Sequence, residues 1–378
     1  MKRLLSVILC CLLLCGCSPK TKIDTAVQKD CFYGIWVTYA ELQSIAENGF
    51  TEGFEEVCIN SAELGATALF VHVRAFCDSV YPSQLFPMCD YLSALPYDPL
   101  EKMITLCKKY GLEFHAWINP YRVSTSPDIA LLDDLSPAKK DSSLLLDFAD
   151  GLYLDPSNRQ VRKIVLEGIK EIADNYDIDG IHFDDYFYPT TDENCDAKSY
   201  AAYKGSCKNP LPLDNFRRVN VTLLVSGVAS YLKSNHKDIS FTISPAADIE
   251  RNYTSLYADI KGWCRAGYLD AVIPQLYFGF NYPAESFCFE RLLLDWINLT
   301  EDSRAKLYIG LAPYKLDTTS KPDAAEWANG TDIVARQITH IKNQAEVDGA
   351  VLFSYSYIFG SSSNAMLQKE EITKSIKE

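Results

Sequence analysis

Apolar residues along this chain gather into eight short runs, and between them they recur at helical spacing. The runs cover 34–39, 66–74, 113–120, 180–188, 240–247, 269–278, 307–314 and 350–357. Several are apolar on both faces, as in Ala68-Leu69-Phe70-Val71 and Ala350-Val351-Leu352-Phe353. Such runs fit parallel strands buried between covering helices and a barrel interior. Asp98-Pro99 predicts a helix start, Leu100, Met103, Ile104 and Cys107 its apolar stripe, and Gly111 its end. Asp155-Pro156 predicts a second start, followed by Val161, Ile164, Val165, Gly168, Ile169 and Ile172. Further helices are expected over 216–232, 257–266, 286–297 and 332–346. Eight strands alternating with helices predict a closed (β/α)8 barrel over 32–378, in one domain. An open doubly wound sheet is the structural alternative, but no Gly-rich phosphate loop follows the first strand.

The N-terminus departs from this alternation. Lys2 and Arg3 precede an apolar run ending in Leu14-Cys15-Gly16-Cys17. A charged start, a short apolar stretch and small residues before a cleavage point mark an export signal over 1–16. At about eleven residues the run falls short of the roughly 20 needed to span a bilayer. Its end resembles the bacterial lipobox, which implies cleavage before Cys17 and a lipid on that cysteine. Residues 17–31 then read as lipidated Cys17 and a polar tether. The expected location is the bacterial cell envelope, on the periplasmic or cell-surface side of a membrane, with the lipid as the sole membrane contact.

Composition narrows the partners. The 378 residues carry a formal charge of −14, which disfavours nucleic acid as a ligand. The 23 Tyr and 18 Phe suit both a core and a cleft that stacks on sugar rings. Beyond the leader, Cys77 with Cys89 and Cys195 with Cys207 occupy loops that could close disulfides. Cys58 and Cys107 sit among helical apolar residues and read as small buried hydrophobes. No C-x-x-C, H-x-H or H-E-x-x-H occurs, so no metal or cofactor is called for.

A barrel carries its active site at the C-terminal strand ends, and here those ends are polar. They bear Arg74 and Asp78, then Trp117 and Asn119, then His182, Asp184 and Asp185. Asp248 and Glu250 follow the fifth strand, Gln275 and Tyr277 the sixth, and Tyr355 the eighth. In Gly180-Ile181-His182-Phe183-Asp184, strand alternation puts His182 and Asp184 on one face and the two apolar residues on the other. The apolar face must meet the helices, so Asp184 points into the mouth. Glycoside hydrolysis needs one carboxylate to attack or stabilise the sugar cation and a second carboxyl group to protonate the leaving oxygen. Asp184 takes the first role here; Asp185, Asp248 and Glu250 are candidates for the second. Arg74, Asp78, Trp117, Asn119, His182, Gln275, Tyr277 and Tyr355 are candidate substrate contacts, with Trp36 and Phe278 as further stacking platforms. Asp155 reads as a helix cap rather than a catalyst.

Particular strings carry a resemblance. His115-Ala116-Trp117-Ile118-Asn119-Pro120-Tyr121-Arg122-Val123 and Asp179-Gly180-Ile181-His182-Phe183-Asp184-Asp185-Tyr186-Phe187-Tyr188-Pro189 are the most specific. Phe216-Arg217-Arg218-Val219-Asn220, Pro274-Gln275-Leu276-Tyr277 and Leu307-Tyr308-Ile309-Gly310 add to them. Over about 32–358 the chain resembles the tenth bacterial glycosyl-hydrolase-like lipoprotein family. The resemblance implies a (β/α)8 barrel, an extracytoplasmic location and glycoside hydrolase activity, with cell-wall glycan as a substrate class. The chain departs from the family pattern at Phe278, at Glu250 before Arg251-Asn252, and at Ala247-Asp248. Two other functions stay open on the residues alone. One is a non-catalytic glycan-binding surface lipoprotein; the other is a metal-dependent deacetylase or phosphodiesterase.

Overall fold

The structure, a computed structural model, describes residues 31–319, 322–328 and 330–378. The expected export signal, Cys17 and most of the tether therefore lie outside the described residues. Eight parallel strands close a barrel: β1 (Phe32–Val37), β2 (Ala68–Arg74), β3 (Glu113–Ile118), β4 (Gly180–Phe183), β5 (Ser240–Ile243), β6 (Ala271–Val272), β7 (Lys306–Leu311) and β8 (Gly349–Leu352). Each pairs with its neighbours in sequence, and β8 returns to β1 with Phe32 opposite Gly349. All eight expected runs overlap a strand. All but β2 end earlier than expected, most of all β4, β6 and β8, because the polar residues after them leave the ladder to form the mouth.

At least one helix follows each strand, and the principal ones are α1 (Phe50–Leu64), α2 (Pro99–Lys109), α3 (Arg159–Asn175), α4 (Leu213–Asn235), α5 (Ile260–Arg265), α6 (Phe289–Thr300), α7 (Ile333–Lys342) and α8 (Ser363–Lys377). Asp98 caps α2 by accepting from the Leu100 and Glu101 N–H groups, as its position before Pro99 predicts. The second expected start needs correction: Asn158, not Asp155, caps α3. Asp155 instead lies buried three residues ahead of that cap, accepting from Ser157 and Ser199.

Strand alternation builds two separate cores. Ile35, Leu69, Ala116, Ile181, Phe183, Ile243 and Leu352 face outward into the layer shared with the helices. Trp36, Ala68, Phe70, Trp117, Ile273, Tyr308 and Val351 face inward and fill the barrel. Complete burial of each such large apolar side chain contributes roughly 1.5–3 kcal/mol. Filling the barrel demands small partners: a Cβ on Gly34 would lie 2.6 Å from the Phe70 ring, and one on Gly180 would lie 2.1 Å from His115 Nδ1. At the N-terminal rim an aspartate preceding a strand accepts from a neighbouring strand's first amides. Asp179 takes Phe114 N–H at 2.7 Å, Asp270 takes Phe241 N–H at 2.8 Å, and Asp348 takes Leu307 N–H at 3.0 Å.

The cysteine pairs proposed from loop position are not bonded. Cys77, Cys89, Cys195 and Cys207 are all free. Cys58 and Cys107 are fully buried between α1 and α2, with sulfurs 3.9 Å apart.

Candidate active site

Strand β4 stops at Phe183, and Asp184 is the first residue past the ladder, buried at the barrel mouth. Its Oδ2 accepts from Trp117 Nε1 at 3.0 Å and Asn119 Nδ2 at 3.4 Å; its Oδ1 accepts from the Tyr186 N–H at 3.3 Å. Both side-chain donors come from the end of β3, which pairs directly with β4 through Trp117 and His182. Asn119 in turn accepts from the Arg122 N–H at 3.0 Å, which fixes the turn that carries Arg122. Asp185 Oδ1 accepts from Gln275 Nε2 at 3.2 Å, and the same amide reaches Ser244 O at 3.0 Å.

These surroundings move both acids upward. Burial pushes the Asp184 carboxyl up to about 7, helped by the neighbouring Asp185 charge; Arg122, Trp117 and the Tyr186 amide pull the other way. Burial also raises Asp185, opposed by Gln275, its own backbone N–H and the Arg251 and Arg122 charges. The Arg122 guanidinium lies 4.7 Å from the centre of the Phe76 ring and 4.5 Å from that of Tyr186. Packing on two rings holds a fixed cation beside the acidic pair.

Below the pair stands His182, fully buried. Trp36 Nε1 can only donate, and it points at His182 Nε2 from 3.2 Å. His182 therefore accepts at Nε2 and carries its proton on Nδ1, which lies 2.8 Å from Thr242 Oγ1. Burial holds this ring well below its ordinary pKa and therefore neutral. His182 props up Trp36 and Ser244, and these reach the mouth. His72 is arranged similarly. Its Nδ1 accepts from the Tyr39 N–H at 3.2 Å, its ring stacks on Trp117, and burial together with Arg122 keeps it neutral.

Two adjoining cavities open at this point. The first, about 230 Å³, is walled by Trp36, Tyr39, His72, Trp117, Arg122, Asp184, Asp185, Tyr186, Gln275, Tyr277 and Phe353. The second, about 450 Å³, runs between the loops after β5, β6 and β7, and shares Asp185, Gln275 and Tyr277 with the first. The acidic pair thus stands where the two meet.

The structure brings together Asp184, Asp185, Trp117, Asn119, Gln275 and Tyr277, with His182 beneath them. Other candidates lie elsewhere. Arg74 follows an irregularity in the β2–β3 register, so it turns outward and lies over Phe86 at 4.0 Å. Asp78 lines a separate cavity of about 290 Å³ between the loops after β2 and β3, where burial raises its pKa. Tyr355 begins a helical turn, Tyr355–Ile358, and its hydroxyl meets Asn60 of α1 at 2.8 Å, away from the mouth. Asp248 caps the short helix Ile249–Thr254 and reaches only the second cavity; Glu250, on that helix, is exposed and lines neither. His72, Tyr39 and Phe353 were missed. His72 lies two residues before Arg74, and strand alternation from Phe70 would have singled it out.

Among the described residues no three His, Cys, Asp or Glu side chains cluster as metal ligands would, and no helix is long and apolar enough to cross a membrane.

The sequence profile described as glycosyl hydrolase-like 10 matches residues 17–329. The chain is 33% identical over 315 residues to glycosyl hydrolase YngK of Bacillus subtilis, an alignment that covers 77% of this chain and 60% of that one. It is 28% identical over 328 residues to glycosyl hydrolase DigH of Escherichia coli K12, covering 78% and 73%. The chain thus spans about three-fifths of the length of the Bacillus relative. In fold it is similar to the glycoside hydrolase domain of PgaB (BpsB) from Bordetella bronchiseptica, with a TM-score of 0.61 at 13% identity over 89% of this chain and 98% of that one. It is also similar to α-L-fucosidase isoenzyme 2 from Paenibacillus thiaminolyticus, with a TM-score of 0.60 at 12% identity over 92% and 49%.

Proposed function

The chain belongs to the glycosyl hydrolase-like 10 family, and from that premise we propose that its mouth hydrolyses the glycosidic bonds of a cell-wall or extracellular polysaccharide. Peptidoglycan glycan strands are the candidate substrate. The observation that carries this is the adjacent acidic pair at the mouth, with the buried Asp184 raised to about 7 beside aromatic walls. An acid serves best when its pKa lies near the working pH. Asp184 therefore holds the proton and delivers it to the leaving oxygen. Asp185, which faces both cavities and is steadied by Gln275, acts as the carboxylate that attacks or activates water. This reverses the role expected for Asp184 from the strand pattern, because burial, invisible in that pattern, favours its neutral form. Arg122 stands close enough to both acids to lower each pKa and to steady the charge left on Asp184 after proton transfer.

Export and lipid attachment at Cys17 belong to the same proposal. They rest on the leader sequence, and labelling with a radioactive fatty acid that is lost in Cys17→Ala tests them.

For hydrolysis, the chain from Ser18 onward and its Asp184→Asn variant are incubated with peptidoglycan, peptide-stripped glycan strands and a polysaccharide panel. New reducing ends are then counted. Product from the wild type alone is the expected result. Equal product from both would remove Asp184 from the chemistry, and glycan retention with no product from either would favour a binding protein.

A further inference from the structure

We propose that the second cavity binds the stretch of sugar chain beyond the scissile bond, so that this protein acts on oligosaccharides and not on single glycosides. The inference rests on the glycosidase reading of the same mouth and adds to it the length of the substrate. Three observations meet here.

The first is continuity. Asp185, Gln275 and Tyr277 line both cavities, so a ligand in one is covalently extensible into the other past the acidic pair. The second is size. The inner cavity, about 230 Å³, is smaller than the roughly 300–1,000 Å³ of ordinary ligand sites, whereas the outer one, about 450 Å³, falls within that range. The space for most of the ligand is therefore outside the catalytic cavity.

The third is chemistry. Tyr277, Phe278, Tyr282, Phe287 and Tyr314 all line the outer cavity and all remain partly exposed. Phe278, Tyr282 and Phe287 hold one another at centroid distances of 5.0 to 6.0 Å. Half-exposed rings fixed by each other offer flat apolar faces without the entropy cost of ordering them on binding. Around them stand Asp248, Arg251 and Lys315. Lys315 is tied down, donating to Asp323 at 2.6 Å and to Tyr277 O at 2.9 Å, so it stiffens the loop carrying Tyr277. Apolar faces interleaved with hydrogen-bonding groups match a sugar chain, whose rings present C–H faces and hydroxyl edges. Tyr282 and Phe287 line the outer cavity only.

The test uses peptide-stripped peptidoglycan strands fractionated by length, from one disaccharide repeat upward. Hydrolysis is measured with the wild type, Tyr282→Ala and Tyr282→Trp. Binding is measured by calorimetry with Asp184→Asn, alone and combined with Tyr282→Ala. We expect kcat/KM and affinity to rise with chain length. Tyr282→Ala should raise KM for long strands by about 10-fold, with the shortest substrate unaffected, and Tyr282→Trp should restore it. Cleavage at equal kcat/KM for every length, unchanged in Tyr282→Ala, overturns the second cavity as a binding site and leaves the glycosidase intact. Length-dependent binding without cleavage supports the cavity and overturns only the hydrolysis. Neither binding nor cleavage at any length overturns both.

Discussion

The two ends of this barrel use the same residue for opposite purposes. At the N-terminal rim, Asp179, Asp270 and Asp348 each accept a backbone N–H from the adjoining strand. At the mouth, Asp184 is buried and Asp185 beside it half-buried, and each carboxyl is raised from its ordinary value. The rim aspartates stand where a neighbouring strand starts, and each accepts the amide of that strand's second residue, which needs an acceptor. The mouth aspartates follow a strand that has just ended, between aromatic walls and next to each other. A carboxylate at the rim completes the ladder; at the mouth it is held in surroundings that favour its proton. A barrel can thus keep its stabilising and reactive acids at separate ends.

Substitutions at the two ends should separate these purposes. The largest effect is expected at the mouth: Asp184→Asn and Asp185→Asn should each reduce glycan hydrolysis by about 10²–10⁴-fold while leaving the circular dichroism spectrum unchanged. Next comes pH. Because the folded chain keeps a proton on Asp184 that the unfolded chain releases near 3.8, folding binds a proton between pH 3.8 and about 7. Stability should therefore fall as pH rises through that window, by as much as ~4 kcal/mol, and level off above it. Asp184→Asn should show a shallower slope when urea midpoints are compared from pH 4 to pH 8, the remainder coming from the likewise raised Asp185, Asp155 and Asp78.

At the rim, Asp270→Ala should leave kcat unchanged and lower stability by about 1–3 kcal/mol, because the Phe241 amide loses its acceptor. A loss of activity per folded molecule at Asp270 would break the separation of the two ends. The smallest expected change sharpens it: Trp117→Phe removes a donor that favours the charged form of Asp184. Its pKa should then rise further, moving the alkaline limb of the kcat/KM profile to higher pH at roughly 10-fold lower activity.

Much of this was legible in the sequence, for identifiable reasons. Runs apolar on both faces, such as Ala68–Val71, fit parallel strands covered on both sides, and each of the eight runs overlaps a strand. The alternation of His182 and Asp184 with Ile181 and Phe183 located the pair's strand and its inward face, and Trp117, Asn119, Gln275 and Tyr277 arrived with it. What stayed hidden depended on breaks in regular geometry. Arg74 shares the parity of His72, but the irregular β2–β3 register turns it away over Phe86. Tyr355 read as the end of a strand that in fact stops at Leu352, and the turn after it sends the ring toward α1. Asp155 precedes a proline as caps often do, yet Asn158 three residues later takes the role. Burial was hidden too, and it is the burial of Asp184 that supports its proposed role as proton donor in place of the attacking role the pattern suggested.

The most direct test of that distinction is a titration of the aspartate carboxyl carbons by nuclear magnetic resonance. It would use the chain from Ser18 onward with 13C-labelled aspartate, beside Asp184→Asn. We expect one carboxyl to titrate near pH 7 and to vanish in the variant. If every aspartate has given up its proton below about pH 5, Asp184 is ionised at neutral pH and cannot be the acid.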